Sequence, residues 1–173
     1  MAAPDISIGT LPADFGRWDE LLSMIRTSFA YMDAIINPPS SVHRLTPDFL
    51  RAKAGVETCF LATADRAAAH GDSPAMAYSI VGCAFLAEKD DHFYLGKLAV
   101  LPASQRRGVG KALIRAAEAH AIRAGKPIIE LQTRVELAGN QRTFASLGFV
   151  ETERTAHAGF DRPTTLTMRK ALA

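Results

Sequence analysis

The stretch over residues 98–113 constrains the fold more than any other, because an apolar strand runs through a glycine-rich loop directly into a long helix. Gly108 and Gly110 allow the backbone to approach a ligand without a Cβ in the way. The first turn of a helix leaves about four amides unpaired and carries the positive end of the helix dipole, which favours a bound phosphate. The same stretch holds three cations, Arg106, Arg107 and Lys111. We therefore predict a local anion site, most specifically one for a pyrophosphate.

Spacing separates the kinds of phosphate loop that this stretch could form. The nucleotide pattern GxxxxGK followed by Ser or Thr needs a glycine and a hydroxyl where this chain has Gln105 and Ala112. The dinucleotide pattern GxGxxG fits Gly108 and Gly110 but fails at Leu113. The pattern that remains is Gln-x-x-Gly-x-Gly, directly after a strand.

Length and charge limit the class of protein. The chain has 173 residues and 18.6 kDa, which suits one domain spanning residues 1–173. Hydrophobic residues make up 48% and charged residues 22%, a mixture typical of a globular protein rather than a disordered one. The formal charge of +2 excludes the global basic field that recruits nucleic acid, so we expect no nucleic-acid partner.

Neither a membrane segment nor a metal site is indicated. The longest nearly apolar run, residues 75–87, is well short of the ~20 residues that span a bilayer. The N-terminus lacks the basic and apolar regions of a signal peptide, so we predict a cytoplasmic protein. Cys59 and Cys83 lie in apolar runs, which favours free buried thiols over a disulfide. The five histidines show no metal-ligand spacing.

The order of predicted elements is strand, two helices, three strands, helix, strand, helix and two strands. Helices are predicted over the apolar stripe 15–32, from the capping sequence 46–48 onward, over 108–124 and over 140–147. Strands are predicted over 6–11, 58–65, 76–87, 92–100, 128–131, 150–157 and 164–169. This order predicts an α/β fold whose mixed, predominantly antiparallel sheet of six to seven strands is flanked by helices and contains a central strand–helix–strand crossover.

The central stretch and its surroundings resemble the GNAT superfamily of acyl-CoA-dependent N-acyltransferases. The family signature, Gln/Arg-x-x-Gly-x-Gly/Ala, lies between a strand and a helix, and here it reads Gln105-Arg106-Arg107-Gly108-Val109-Gly110 after Leu98-Ala99-Val100. Asn140 and Leu147-Gly148-Phe149 follow in the family's order. The element order from about residue 58 to 170 also matches, and the N-terminal strand and helices look like the family's acceptor-side cover.

The resemblance implies that acetyl-CoA is the co-substrate. The end of the fourth strand would pair with the pantetheine arm as if it were another strand, and the loop amides would hold the pyrophosphate. Asn140 would touch pantetheine, although it could equally cap its helix, and Phe144 would pack against the same arm. The cofactor-binding residues implied in this way are Leu98, Ala99, Val100, Gln105, Arg106, Arg107, Gly108, Val109, Gly110, Lys111, Asn140 and Phe144. The family's sheet splays after its fourth strand, which opens a slot toward the acceptor.

The catalytic residues are less clearly marked than the cofactor site. The resemblance implies that a main-chain N–H near Ala99 or Val100 holds the oxyanion. Many relatives have a tyrosine acid three residues before Leu-Gly-Phe, but here that residue is Phe144, which has no proton to donate. His92 and Tyr94 lie two apart on one face of the fourth predicted strand, so either could relay protons if that face borders the slot. Alternatively, one or both could simply pack beneath the N-terminal helices or sit near the hairpin turn. The weaker acceptor-side candidates are Tyr31, Asp33 and Glu136.

These observations predict an enzyme that transfers an acetyl group from acetyl-CoA to a primary amine by direct attack in a ternary complex. The acceptor would be a small molecule or a peptide amine. The missing tyrosine leaves a second hypothesis, a non-catalytic module that binds or senses acyl-CoA. Members of the family often pair through sheet edges or C-terminal strands, so the resemblance also allows a homodimer.

Overall fold

The predicted strands form one seven-stranded sheet in the computed structural model, which describes residues 5–66 and 77–173. In chain order the strands are β1 (Ile6–Thr10), β2 (Thr58–Asp65), β3 (Tyr78–Glu88), β4 (Phe93–Val100), β5 (Ile128–Arg134), β6 (Val150–Thr155) and β7 (Thr165–Ala171). Across the sheet their order is β1-β2-β3-β4-β5-β7-β6. β4 and β5 run parallel, and the other neighbouring pairs run antiparallel. The prediction of a mixed, predominantly antiparallel sheet is confirmed.

Four α-helices occur in the described part of the chain: α1 (Trp18–Phe29), α2 (Pro47–Ala54), α3 (Val109–Arg123) and α4 (Ala138–Ser146). The predicted start of α2 is confirmed, because the Phe49 amide donates to the Thr46 hydroxyl at 3.1 Å. α3 ends before Gly125, whose φ of +73° is a left-handed conformation that glycine adopts easily. α3 joins the two parallel strands and is the predicted crossover.

Different helices cover the two faces of the sheet. α3 packs on one face, where Leu113 and Ala117 are fully buried. α1 and α2 cover the other face, with Leu21, Ile25 and Leu50 fully buried. Burying one such leucine or isoleucine contributes roughly 1.5–3 kcal/mol to folding. β3 is buried along most of its length, as a continuous apolar run in a sheet covered on both sides predicts.

The sheet opens between β4 and β5. Their ladder covers only three residue pairs and ends at Leu95 opposite Leu131, although β4 continues to Val100 and β5 to Arg134. Within β4 the register with β3 shifts, and the extra residue Lys97 has a φ of +49°. Such a bulge bends a strand and redirects its side chains. The splay and the bulge together leave one edge of the second half of β4 without a neighbouring strand among the described residues.

Several predicted boundaries change in the structure, and two of them concern predicted site residues. β4 begins at Phe93, so the expectation that His92 lies in the same strand as Tyr94 is wrong, and His92 lies in the turn before β4. α4 begins at Ala138 with Leu137 as its N-cap, so the alternative of Asn140 as the N-cap is also wrong. The Gln141 side chain donates to the carbonyls of residues 134 and 135, which fastens α4 close to the end of β5. The predicted strand over 76–87 starts at a residue outside the described range.

Candidate active site

The loop before α3 has the backbone of an anion site. Arg106 and Gly108 both have positive φ, +61° and +78°, which turns the chain sharply into the helix. Ala112 is the first residue of the helix whose amide bonds back, to the Gly108 carbonyl at 2.9 Å. The amides of Val109 to Lys111 therefore precede the helical hydrogen-bond ladder and are free to face a ligand.

Gln105 and Gly110 allow this loop to pack against the end of β4. The Gln105 side-chain amide donates to the Val100 carbonyl at 3.1 Å, which ties the loop to the strand. A Cβ placed on Gly110 would lie 3.8 Å from Val100 Cγ2, an ordinary van der Waals contact. An alanine therefore fits at this position, whereas a longer side chain would extend into the space in front of the amides. The loop thus leaves open space in front of the amides for an anion.

The exposed edge of β4 suits the rest of the CoA arm. Residues 98–100 lie beyond the last pair with β5, and Ala99 and Val100 pair with β3 on their other side. A chain with amide groups can add to such an edge as a further strand. Leu98 also lines a cavity of about 360 Å³ at the splay. The edge of β4 therefore connects the loop to this cavity.

The cavity lies between the two splayed strands and the N-terminal cover. Its walls come from the end of α1 and the turn that follows, the loop over 38–41, residues 94–98 of β4, residues 131–134 of β5, and α4. Asn140 and Phe144 line it from α4, as the resemblance implies for residues near pantetheine. The Asn140 side-chain amide donates to the Tyr31 hydroxyl at 3.1 Å, which links α4 to the cover.

Tyr94 lines this cavity and His92 does not. Burial, followed by the negative charges of Glu130 and Glu57, raises the pKa of the Tyr94 phenol. His92 instead places Nδ1 2.6 Å from an oxygen of Asp91 and Nε2 3.7 Å from an oxygen of Glu130. The structure brings one of the two predicted proton-relay residues to the slot and leaves the other at the turn.

Phe144 packs edge-on against Phe149 with ring centroids 6.1 Å apart. Its ring borders the cavity, but it carries no group that can donate a proton. The weaker acceptor-side candidates lie outside the cavity wall: Asp33 contacts His43 at 2.7 Å, and Glu136 accepts the Asn37 amide at 3.3 Å. A phenol at Tyr94 is therefore the ionisable hydroxyl nearest to the splay among the predicted site residues.

Four ionisable residues of the cavity wall were not predicted as site residues: Arg44, Lys97, Arg134 and His157. One feature of the sequence could have indicated Lys97. A glycine inside a strand pattern often accompanies a bulge, and Gly96 directly precedes Lys97 in such a pattern. Burial and then the charge of Lys53 lower the pKa of Lys97. The remaining three reach the cavity from separate segments, and no local pattern marks them.

The two cysteines are free and buried, as predicted. Burial raises the pKa of the Cys59 thiol to about 12 and also raises that of Cys83. Since the thiolate is the reactive form, neither is suited to act as a nucleophile. Within residues 5–66 and 77–173, no cluster of His, Cys, Asp or Glu could hold a metal ion, and no helix is long and apolar enough to cross a membrane.

Comparison with protein families gives a match over most of the chain. Residues 28–149, more than half of the 173, match the model of the acetyltransferase (GNAT) family. No curated protein matches the chain. The matched range includes the loop, the splayed strands and α4.

Solved acetyltransferase structures share this fold. An acetyltransferase of the GNAT family from Staphylococcus aureus has a TM-score of 0.70 at 16% identity, over 98% of this chain and 100% of that one. The ribosomal-protein-S18-alanine N-acetyltransferase from Escherichia coli has a TM-score of 0.64 at 18% identity, over 98% and 95%. A GNAT family acetyltransferase from Elizabethkingia anophelis, solved with acetyl-CoA bound, has a TM-score of 0.60 at 15% identity, over 96% and 98%. At these identities the likeness is one of fold.

Proposed function

Because the chain belongs to the acetyltransferase (GNAT) family, we propose that it transfers the acetyl group of acetyl-CoA to a primary amine by direct attack in a ternary complex. The observation that carries this proposal is the splay between β4 and β5. It connects the open strand edge, the loop before α3 and the cavity. A thioester bound along β4 would then reach an amine that enters from the cover side.

The proposed cofactor site consists mainly of backbone. The amides of residues 106–111 hold the diphosphate, helped by the positive end of the α3 dipole. Gln105 keeps the loop on the end of β4 through its bond to the Val100 carbonyl. Residues 98–100 pair with the pantetheine arm, while Asn140 and Phe144 border it from α4.

The proposed reaction needs an oxyanion donor and two proton transfers. The amine nitrogen forms a bond to the acetyl carbon and gives a proton to solvent water, and the carbon–sulfur bond breaks as the thiolate gains a proton. The group that protonates the thiolate regains its proton from solvent. A main-chain N–H at Ala99 or Val100 stabilises the oxyanion between these steps. Tyr94 is the proposed donor to the thiolate, because its raised pKa keeps the phenol protonated at neutral pH. His92 is assigned no proton transfer, because it does not line the cavity.

A thiol-release assay tests the proposal. Acetyl-CoA is mixed with the protein and a panel of primary amines and peptides, and free CoA thiol is followed together with the mass of the acetylated product. We expect thiol release that saturates with both substrates and depends on the amine. Saturable CoA binding with no amine-dependent thiol release across the panel would instead support the non-catalytic binding module. The observation that favours this module is that Phe144 has no proton to donate.

A further inference from the structure

The cavity is lined by three cations. Arg44, Lys97 and Arg134 line it, and none of the described residues of its wall is an aspartate or a glutamate. An amine acceptor is itself a cation before it loses its proton, so this wall repels a simple amine. The charge of the wall is complementary to a molecule that also carries a negative group.

Lys97 supplies the charge on the β4 side. Its Nζ donates to the uncharged Ser41 hydroxyl at 3.4 Å, and it forms no salt bridge with any residue in the described ranges. Burial and repulsion from Lys53 lower its pKa, Arg44 adds to the repulsion, and the attraction of Glu57 acts in the opposite direction. An anion beside Nζ would therefore be stabilised by this charge and would relieve the repulsion.

Arg134 supplies the charge on the β5 side. Its Nε donates to the Thr164 carbonyl at 3.0 Å and its Nη1 to the Pro38 carbonyl at 2.9 Å, so the guanidinium is held in place. Its Nη2 is buried and has no hydrogen-bond partner among the described residues. The Glu136 carboxylate lies 3.8 Å from Arg134 and 3.7 Å from Arg162, so the group of three keeps an excess positive charge.

We propose that the acceptor carries an anionic group, a carboxylate or a phosphate, in addition to the amine, and that Lys97 and Arg44 hold it, while the fixed guanidinium of Arg134 adds its positive charge to the cavity wall. This inference rests on the proposed function. The two strands that separate after Leu95 and Leu131 each contribute one cation to the slot. Amino acids and phosphorylated amines have the required chemistry, whereas polyamines and alkyl amines lack it.

Matched pairs of acceptors test this proposal. L-leucine is compared with 3-methylbutylamine, its decarboxylated form, and O-phosphoethanolamine with ethanolamine. We expect the acid-bearing member of at least one pair to be favoured by about tenfold or more in kcat/KM, because charge-assisted hydrogen bonds add to its binding. The pair that shows the preference distinguishes a carboxylate from a phosphate site.

Single substitutions test which residues cause the preference for acid-bearing acceptors. Lys97→Gln keeps a donor for Ser41 but removes the charge, and Arg44→Gln changes an exposed side chain whose loss leaves the core intact. Each should reduce the preference for the acid-bearing member of the pair by about tenfold. Arg123→Gln, at the far end of α3, removes the same charge away from the cavity and should leave the preference unchanged. Equal turnover of both members of each pair, or a preference that survives both cavity variants, would overturn the proposal.

A binding measurement separates this proposal from the proposed function. If no amine is acetylated, N-acetyl-leucine and N-acetyl-O-phosphoethanolamine are titrated calorimetrically into the CoA-loaded protein. Binding that Lys97→Gln weakens would support the anion site even though the proposed reaction had failed. Absence of binding of both compounds would contradict the anion site itself.

Discussion

The loop before α3 and the acceptor cavity meet at β4, but they are built in opposite ways. The loop is a run of consecutive residues, 106–111, that offers backbone amides and the end of a helix. The cavity is built from side chains of β4, β5, α4 and the N-terminal cover, which lie far apart in sequence. A backbone site depends on a few glycines and a turn, whereas a side-chain site changes whenever any contributing segment changes. The loop can therefore be recognised from a short motif, whereas the cavity depends on side chains from several separate segments of this chain.

The largest effect is expected at the loop. Gly110→Glu places a long anionic side chain in front of the helix amides, so CoA affinity should fall by about 1,000-fold, on the order of 4 kcal/mol. Gly110→Ala is the matched control, because its Cβ would lie 3.8 Å from Val100 Cγ2 and should leave binding nearly unchanged. Calorimetric titration with CoA measures both, and unaltered affinity in the glutamate variant would refute the site.

The second prediction concerns the cavity end of β4. Tyr94→Phe should lower kcat by about 100-fold without weakening CoA binding, because general acid catalysis is worth about that much. Since the pKa of the Tyr94 phenol lies above its usual 10.0, wild-type kcat should not decline as pH rises toward 10. Tyr78→Phe, on β3 and outside the cavity wall, is the control. A wild-type kcat in Tyr94→Phe would exclude the phenol from proton transfer.

A smaller effect is expected where α4 borders the same cavity. Phe144→Tyr places a phenol at the position from which many relatives of this family donate a proton, so turnover should rise by about threefold to tenfold. Phe144→Leu keeps an apolar group and should give no increase. Steady-state kinetics at saturating acetyl-CoA measures the change. Turnover that stays the same or falls would indicate that thiolate protonation already has another source.

The smallest effect is expected at the buried thiols. Iodoacetamide at about pH 8 should leave the activity of the folded protein unchanged, because burial raises the pKa of Cys59 to about 12 and that of Cys83 as well. Mass spectrometry should show no adduct on the folded protein and two on the protein unfolded in urea. Inactivation that follows alkylation of either cysteine would favour a covalent route over direct attack.

The loop could be predicted from the sequence because its determinants are local. Two glycines, a glutamine and the start of a helix lie within a few residues of one another, and the structure places Gly108 in the left-handed conformation that such a loop needs. The element order and the mixed sheet followed from hydrophobic periodicity and turn residues. The assignment of these residues to CoA itself stays a prediction.

The cavity could not be predicted in the same way. Arg44, Arg134 and His157 come together at the cavity only in the folded chain. Their spacing along the sequence does not indicate that they share a site. His92 stands one residue before β4, in the turn, where it contacts Asp91 of the same turn and Glu130 of β5. The positions of these side chains depend on contacts between segments that are distant in sequence, and local propensity does not reveal such contacts.

The central claim is that the amides before and within the first turn of α3 bind the diphosphate of CoA. A crystal structure of the protein grown with CoA tests it most directly. We expect the diphosphate against the amides of residues 106–111 and the pantetheine arm along residues 98–100 of β4. Density for CoA at another surface, with these amides facing solvent, would contradict the account.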